Sequence, residues 1–133
     1  MSYAIRLTES LFPAQTDSQV QSITIGEQLK LTAQAYPQEI ALVEVDIDGD
    51  IGRSWTWSSL LTECEEQAFA LASQFLPGER VTVWSPNTPE WVIMEFACAM
   101  AGIVIVTANP ALQAREIRYI LDQSESVALF LVE

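Results

Sequence analysis

Histidine is absent from this sequence of 133 residues, and lysine occurs once, as Lys30. Without histidine the commonest general base is missing, and neither a Ser-His-Asp triad nor a Cys-His dyad can be assembled. Cysteine is scarce: Cys64 and Cys98 stand inside apolar helical patterns and form no CxxC pair. Two thiols cannot complete a four-ligand zinc site, and free thiols in a reducing compartment are favoured over a disulfide. Glycine is sparse as well. Gly26, Gly49, Gly52, Gly78 and Gly102 each have a local explanation as helix start, turn or cap, and neither GxxxxGK[ST] nor GxGxxG occurs. No apolar run approaches the roughly 20 residues that cross a bilayer. The opening "MSYAIRLTESLFPAQTDSQVQS" lacks the charged start and apolar centre of a signal peptide. Bases are few, 6 against 18 acids for a net charge of -12, so phosphate polyanions and anionic membrane surfaces would be repelled. The expectation is a cytoplasmic protein with no membrane span and no nucleic-acid partner.

What is present suits one domain with a substantial core, since 50% of the residues are hydrophobic. Residues 1–22, mixed and polar around Pro13, read as an arm. From Thr24, a capping residue, a helical pattern through Ile25, Gln28/Leu29, Thr32/Ala33 and Tyr36 runs to Pro37. Ile40–Asp46 reads as a strand and "DIDGDIG" (46–52) as a hairpin turn centred on Asp48-Gly49. Arg53–Thr56 is the returning strand. Thr56 or Ser58 opens a helix that presents Leu60, Leu61, Cys64, Ala68, Leu71, Ala72 and Phe75 on one face and ends at Pro77-Gly78.

Arg80–Ser85 carries no polar alternation, the mark of a strand buried on both faces. Thr88-Pro89-Glu90 then has the cap, first-turn proline and first-turn acid of a helix start. The helix through "WVIMEFACAM" is apolar on nearly every side, and Gly102 stops it. Ile103–Thr107 is a further apolar strand. Asn109-Pro110 turns the chain, Gln113–Gln123 is a helix with Ile117, Ile120 and Leu121 inward, and Ser126–Val132 is the last strand. This alternation predicts right-handed crossovers and an α/β fold: a partial doubly wound parallel sheet with flanking helices, preceded by a small antiparallel hairpin. A buried strand is an unusual place to finish, and an exposed terminal strand would favour self-association.

The residues offer little chemistry. "DIDGD" resembles the start of a calcium loop, but the glycine and glutamate required at the sixth and twelfth positions are Ile51 and Trp57, so a polar hairpin tip is the better account. Glu63, Glu65 and Glu66 read as a solvated helix face. Glu95 reads as an edge position on an apolar helix rather than a tuned acid. Trp55, Trp57, Trp84 and Trp91 serve either as core or as the lining of a pocket. No catalytic, cofactor-binding or metal residue is assigned. Asn87 and Asn109 fall at the carboxyl ends of strands, where α/β sheets hold ligands. They are the candidate residues of a substrate cleft, against a purely turn-forming role.

Taken together, "GERV" (78–81), "PNTPEW" (86–91), "AG" (101–102), "NP" (109–110) and "EIRYIL" (116–121) resemble, in order and spacing, the amino-terminal part of the AMP-forming adenylate synthetases. That superfamily includes the acyl-CoA synthetases. "TIGEQLKLTAQAYPQEIALV" and "SWTWSSLLTECEEQAFALA" are similar to its opening helix, hairpin and first long helix. The resemblance covers residues 23–132. It implies ATP, Mg2+ and coenzyme A for the full-length family: a carboxylate, fatty or aryl, becomes an acyl-adenylate and then a thioester. The family's Ser/Thr/Gly-rich phosphate loop ending in Pro-Lys-Gly, its Tyr-Gly-x-Thr-Glu segment, its ribose aspartate and its carboxy-terminal lysine are absent from these residues. Residues 23–133 are therefore expected to be scaffold preceding the phosphate loop, inactive alone and holding no cofactor. The partners expected are further copies or the missing carboxy-terminal parts. A stand-alone interaction or regulatory module on the same scaffold is the alternative.

Overall fold

The structure, a computed structural model, describes residue 8 and residues 20–131; most of the expected arm lies outside the described residues. The chain runs α1 (Ile25–Ala35), β1 (Ile40–Val45), β2 (Ile51–Thr56), α2 (Trp57–Ala72), β3 (Arg80–Trp84), α3 (Pro89–Ala101), β4 (Val104–Ala108), α4 (Ala114–Ser124) and β5 (Ala128–Leu131). The helix starts have identifiable causes. Thr24 Oγ1 accepts from the Glu27 N–H at 3.1 Å. Thr56 and Ser59 cap α2 reciprocally, Ser59 N–H to Thr56 Oγ1 at 3.2 Å and Thr56 N–H to Ser59 Oγ at 2.9 Å, which selects Thr56 over Ser58. At α4, Glu116 reaches back to the Gln113 N–H at 2.8 Å. Gly102 ends α3 with a φ of 72°, left-handed backbone that glycine adopts without a Cβ clash.

β1 and β2 form a separate antiparallel pair, and the other strands form a parallel sheet in the order β4-β3-β5. Register partners share a face, so Val81, Val83, Ile105, Ala128 and Phe130 point one way. That face meets α2 and α3 in a core of Leu71, Val81, Val83, Met94, Ala97, Cys98 and Ile103. Phe75 of the α2 tail packs edge to face on Phe130, with centroids 6.3 Å apart. A second core of Leu29, Trp55, Leu60, Cys64 and Ile93 fastens α1 and the hairpin to α2 and α3. From β4 the chain returns past β3 to reach β5. With right-handed crossovers, this reversal puts α4 on the opposite face from α3. Ile117 of α4 is 3% exposed, and Thr82, pointing to that opposite face, is fully buried.

The amino ends of all three parallel strands are tied together. Val104 N–H donates to Glu79 O and Val127 N–H to Arg80 O, at 2.9 and 2.8 Å. The Arg80 guanidinium donates to Ser124 O and, at 2.6 Å, to Glu125 Oε2. Arg80 thereby braces the turn in which Glu125 takes a φ of 53°.

Several expectations change. β2 starts at Ile51, two residues earlier than the pattern indicated, because Asp46 closes the turn itself: its carboxylate accepts from the Asp48 and Asp50 N–H groups, each at 2.9 Å. α1 buries Gly26, Leu29 and Ala33, not Ile25 and Tyr36, which are exposed. The cause is close helix approach: a Cβ on Gly26 would lie 2.8 Å from Met100 Cγ. Of the parallel strands, only β3 is buried on both faces. β4 and β5 are outer strands, and Val104, Val127 and Leu131 are about half exposed at 48%, 54% and 55%. In α2, Ala72 turns outward.

Candidate functional site

Doubly wound sheets open a crevice where neighbouring strands send their connections to opposite faces. Here those neighbours are β3, followed by α3, and β4, followed by α4. At their carboxyl ends lies a cleft of about 440 Å³ whose lining includes Ser85, Asn87, Trp91, Thr107 and Asn109. The two asparagines, 22 positions apart in the chain, are brought onto one wall system by the parallel pairing of Trp84 with Ala108.

Each is held differently. Asn109 Oδ1 accepts from the Ala111 N–H at 2.9 Å, and its backbone carbonyl accepts from Trp84 Nε1–H at 3.1 Å. Asn109 is thus a turn-former as well as a lining residue. Asn87 sits in the turn between β3 and α3, beside Ser85, which is buried and donates from Oγ to Pro86 O at 2.8 Å. Thr88 caps α3 on the far side of that turn. Trp84 was read from the sequence as core or pocket lining, and its indole holds the Asn109 turn; Ser85 was not singled out. Its signal, a donor-bearing side chain at a strand's carboxyl end, is shared with many core residues.

Two further cavities flank the same turn. One of about 680 Å³ lies between α2, α3 and the ends of β3 and β5, with Glu63, Glu66 and Glu90 at its rim and Ile93, Met94 and Phe130 inside. Another of about 520 Å³ separates the hairpin from the start of α3.

Arg53 crosses to that start from β2. It donates to Glu90 Oε1 at 2.6 Å and grips Glu44 through Nε and Nη2 at 2.8 and 2.9 Å. Hydrogen bonding to Arg53 holds the Glu44 carboxyl down at about 2, and the same guanidinium lowers Glu90; the two carboxylates in turn raise Arg53. The sequence pattern explains Glu90 by the helix dipole alone, and the guanidinium across the cavity is the larger influence. Burial pushes the Cys64 thiol up to about 12 and the Cys98 thiol up to about 11. Both are free, buried and poorly nucleophilic. Glu95 is exposed, and Glu63 accepts from Trp55 Nε1–H at 2.8 Å.

None of these cavities fits a polyphosphate. The cleft is lined by neutral side chains, and the cavity between α2 and α3 has carboxylates and no cation among its lining residues. Lys30 is engaged with Glu65 at 3.1 Å, and Arg80 with the turn before β5. Among the described residues, no cluster of three or more Asp, Glu or Cys is arranged to hold a metal ion. No helix among them is long and apolar enough to cross a membrane.

A parallel α/β layer with a neutral cleft at its carboxyl edge and an antiparallel hairpin at its flank is part of a doubly wound fold, the class in which ligands sit at the carboxyl ends of the strands. The family profile described as "AMP-binding enzyme" matches residues 29–133. The chain belongs to that family. It is 38% identical over 115 residues to human medium-chain acyl-CoA ligase ACSF2, mitochondrial, covering 86% of this chain and 18% of that one. To the putative acyl-CoA synthetase YngI of Bacillus subtilis it is 35% identical over 111 residues, covering 83% and 20%. It therefore spans about a fifth of these relatives' length. Among solved structures, Mycobacterium tuberculosis fatty acyl CoA synthetase aligns with a TM-score of 0.72 and 27% identity, over 81% of this chain and 21% of that one. Klebsiella oxytoca NpsA in complex with 3-hydroxyanthranilyl-AMSN shares the fold at a TM-score of 0.75 and 23% identity, over 85% and 22%.

Proposed function

We propose that residues 23–133 are the amino-terminal scaffold of an ATP-dependent, AMP-forming acid–thiol ligase. The reaction would join a fatty or aryl carboxylate to AMP with release of pyrophosphate, then pass the acyl group to the thiol of coenzyme A. The observation that carries this reading is the parallel order of β3, β4 and β5, combined with the likeness to acyl-CoA ligases along most of the chain. The medium-chain and fatty acyl names of two relatives favour a fatty acid. Asn87 and Asn109 would line the substrate cleft, where a neutral wall suits a group that is not a phosphate.

By itself the chain should make no acyl-adenylate, because its sequence holds no Ser/Thr/Gly-rich phosphate loop ending in Pro-Lys-Gly and, among the described residues, no cation lines the cleft. The test is pyrophosphate release from ATP and Mg2+ by the purified chain with octanoate, palmitate or benzoate. We expect none, and release above a protein-free blank overturns the reading. The two free thiols suit a reducing compartment, the cytoplasm in our assignment, which fractionation of a tagged chain would check.

The alternative, an interaction module on the same scaffold, draws support from the half-exposed apolar residues of β4 and β5. Sedimentation of the purified chain separates the readings. A clean monomer that binds no hydrophobic dye would count against the module.

A further inference from the structure

The turn from Pro86 to Trp91 is a wall shared by three cavities. Asn87 lines both the cleft toward β4 and the cavity toward the hairpin. Thr88, Glu90 and Trp91 line the cavity between α2 and α3. The turn's own bonds are local: Ser85 Oγ–H to Pro86 O, and the Trp91 N–H to Thr88 Oγ1 at a long 3.4 Å. Its ion pair to a remote element comes from Arg53, 37 positions away on β2.

Three features restrict that guanidinium. Two of its nitrogens grip both oxygens of Glu44 on β1, at 2.8 and 2.9 Å. Its Cζ lies 5.1 Å from the centroid of the Trp55 ring. Trp55 is itself buried and anchored to Glu63 of α2 through its indole N–H. A lone exposed ion pair contributes little, but a bidentate grip inside a network is the case in which geometry is held. Only arginine has the planar fork that serves Glu44 and Glu90 at once while lying near a ring.

We propose that Arg53 is a positioning residue for the carboxyl-edge cleft: it fixes the first turn of α3, and with it Asn87, against the hairpin. Its consequence for substrate rests on the assignment of Asn87 to the ligase cleft; the positioning itself does not. The test is amide hydrogen exchange at residues 87–92 of this chain, with urea unfolding in parallel, for the wild type, Arg53→Gln, Arg53→Lys, Glu90→Gln and the Arg53→Gln/Glu90→Gln pair. Arg53→Gln and Glu90→Gln should each speed exchange in that segment roughly five- to tenfold while β3 amides and the urea midpoint change little. The double variant should exceed neither single variant, and Arg53→Lys should recover less than half of the protection. Unchanged exchange at 87–92, acceleration in step with β3, or additive single effects would each overturn the proposal. If Arg53→Gln does not fold, Glu90→Gln, which leaves the grip on Glu44 intact, carries the same comparison. Because exchange is read without catalysis, its failure is separate from the failure of the ligase assignment, which pyrophosphate release decides.

Discussion

At the scale of single residues, two glycines do different work. Gly102 supplies a left-handed φ of 72°, so Gly102→Ala should cost about 1 kcal/mol of unfolding free energy, read from the urea midpoint. Gly26 supplies space. Alanine there would normally favour a helix, yet its Cβ would stand 2.8 Å from Met100 Cγ, so Gly26→Ala should lower the melting temperature rather than raise it. Both were visible in the sequence, but only Gly102 announced its role, because a stop after an apolar helix is a local signal and a helix crossing is not. Arg53 illustrates the same limit. Its partners lie 9 positions before it and 37 after it, and no periodicity links them.

Charge at this scale has a definite sign. Glu44 has a folded-state value lowered from 4.5 to about 2. The stabilisation from its bond to Arg53 is therefore complete above the ordinary carboxylate value and is lost as pH falls toward the lowered one. Carboxyl 13C shifts should show Glu44 still ionised at pH 3.5, where exposed glutamates are largely protonated. Arg53→Gln should return Glu44 to the ordinary range.

At the scale of elements, caps and breakers decide the boundaries. Thr24, Thr56 and Thr88 each sit before a helix with extended backbone and an oxygen facing the first-turn N–H groups. Thr88→Ala should cost about 1 kcal/mol in urea unfolding. Because the Thr88 bond is the longest of the three, the loss should be no larger than that of Thr56→Ala, whose partner Ser59 caps in return. The helix starts were legible because their hydrogen bonds close within three or four residues. The buried face of α1 was not. Ile25 and Tyr36 have the apolar character of a core residue, but the orientation of α1 is set by where α2 and α3 leave room, and that is a contact between distant segments.

At the scale of the molecule, the sheet is lopsided: β3 is buried, whereas its neighbours expose apolar side chains. Val104 and Leu131 pair with Arg80 and Trp84 and so share the α4 face. Hydrophobic-dye fluorescence should rise on adding the purified chain, and Val104→Lys with Leu131→Lys should reduce it by more than half; an unchanged signal would place the exposed apolar surface elsewhere.

The parallel layer, the hairpin and the positions of Asn87 and Asn109 at strand ends follow from the sequence, because hydrophobic period, turn residues and caps are encoded within short windows. Tertiary structure alone decided that these asparagines share one cleft, that its walls are neutral while the neighbouring cavity is acidic, and that Arg53 reaches across to Glu90. Those are distances between segments remote in the chain, set by how α2 and α3 pack on the sheet and by the direction in which each crossover leaves it.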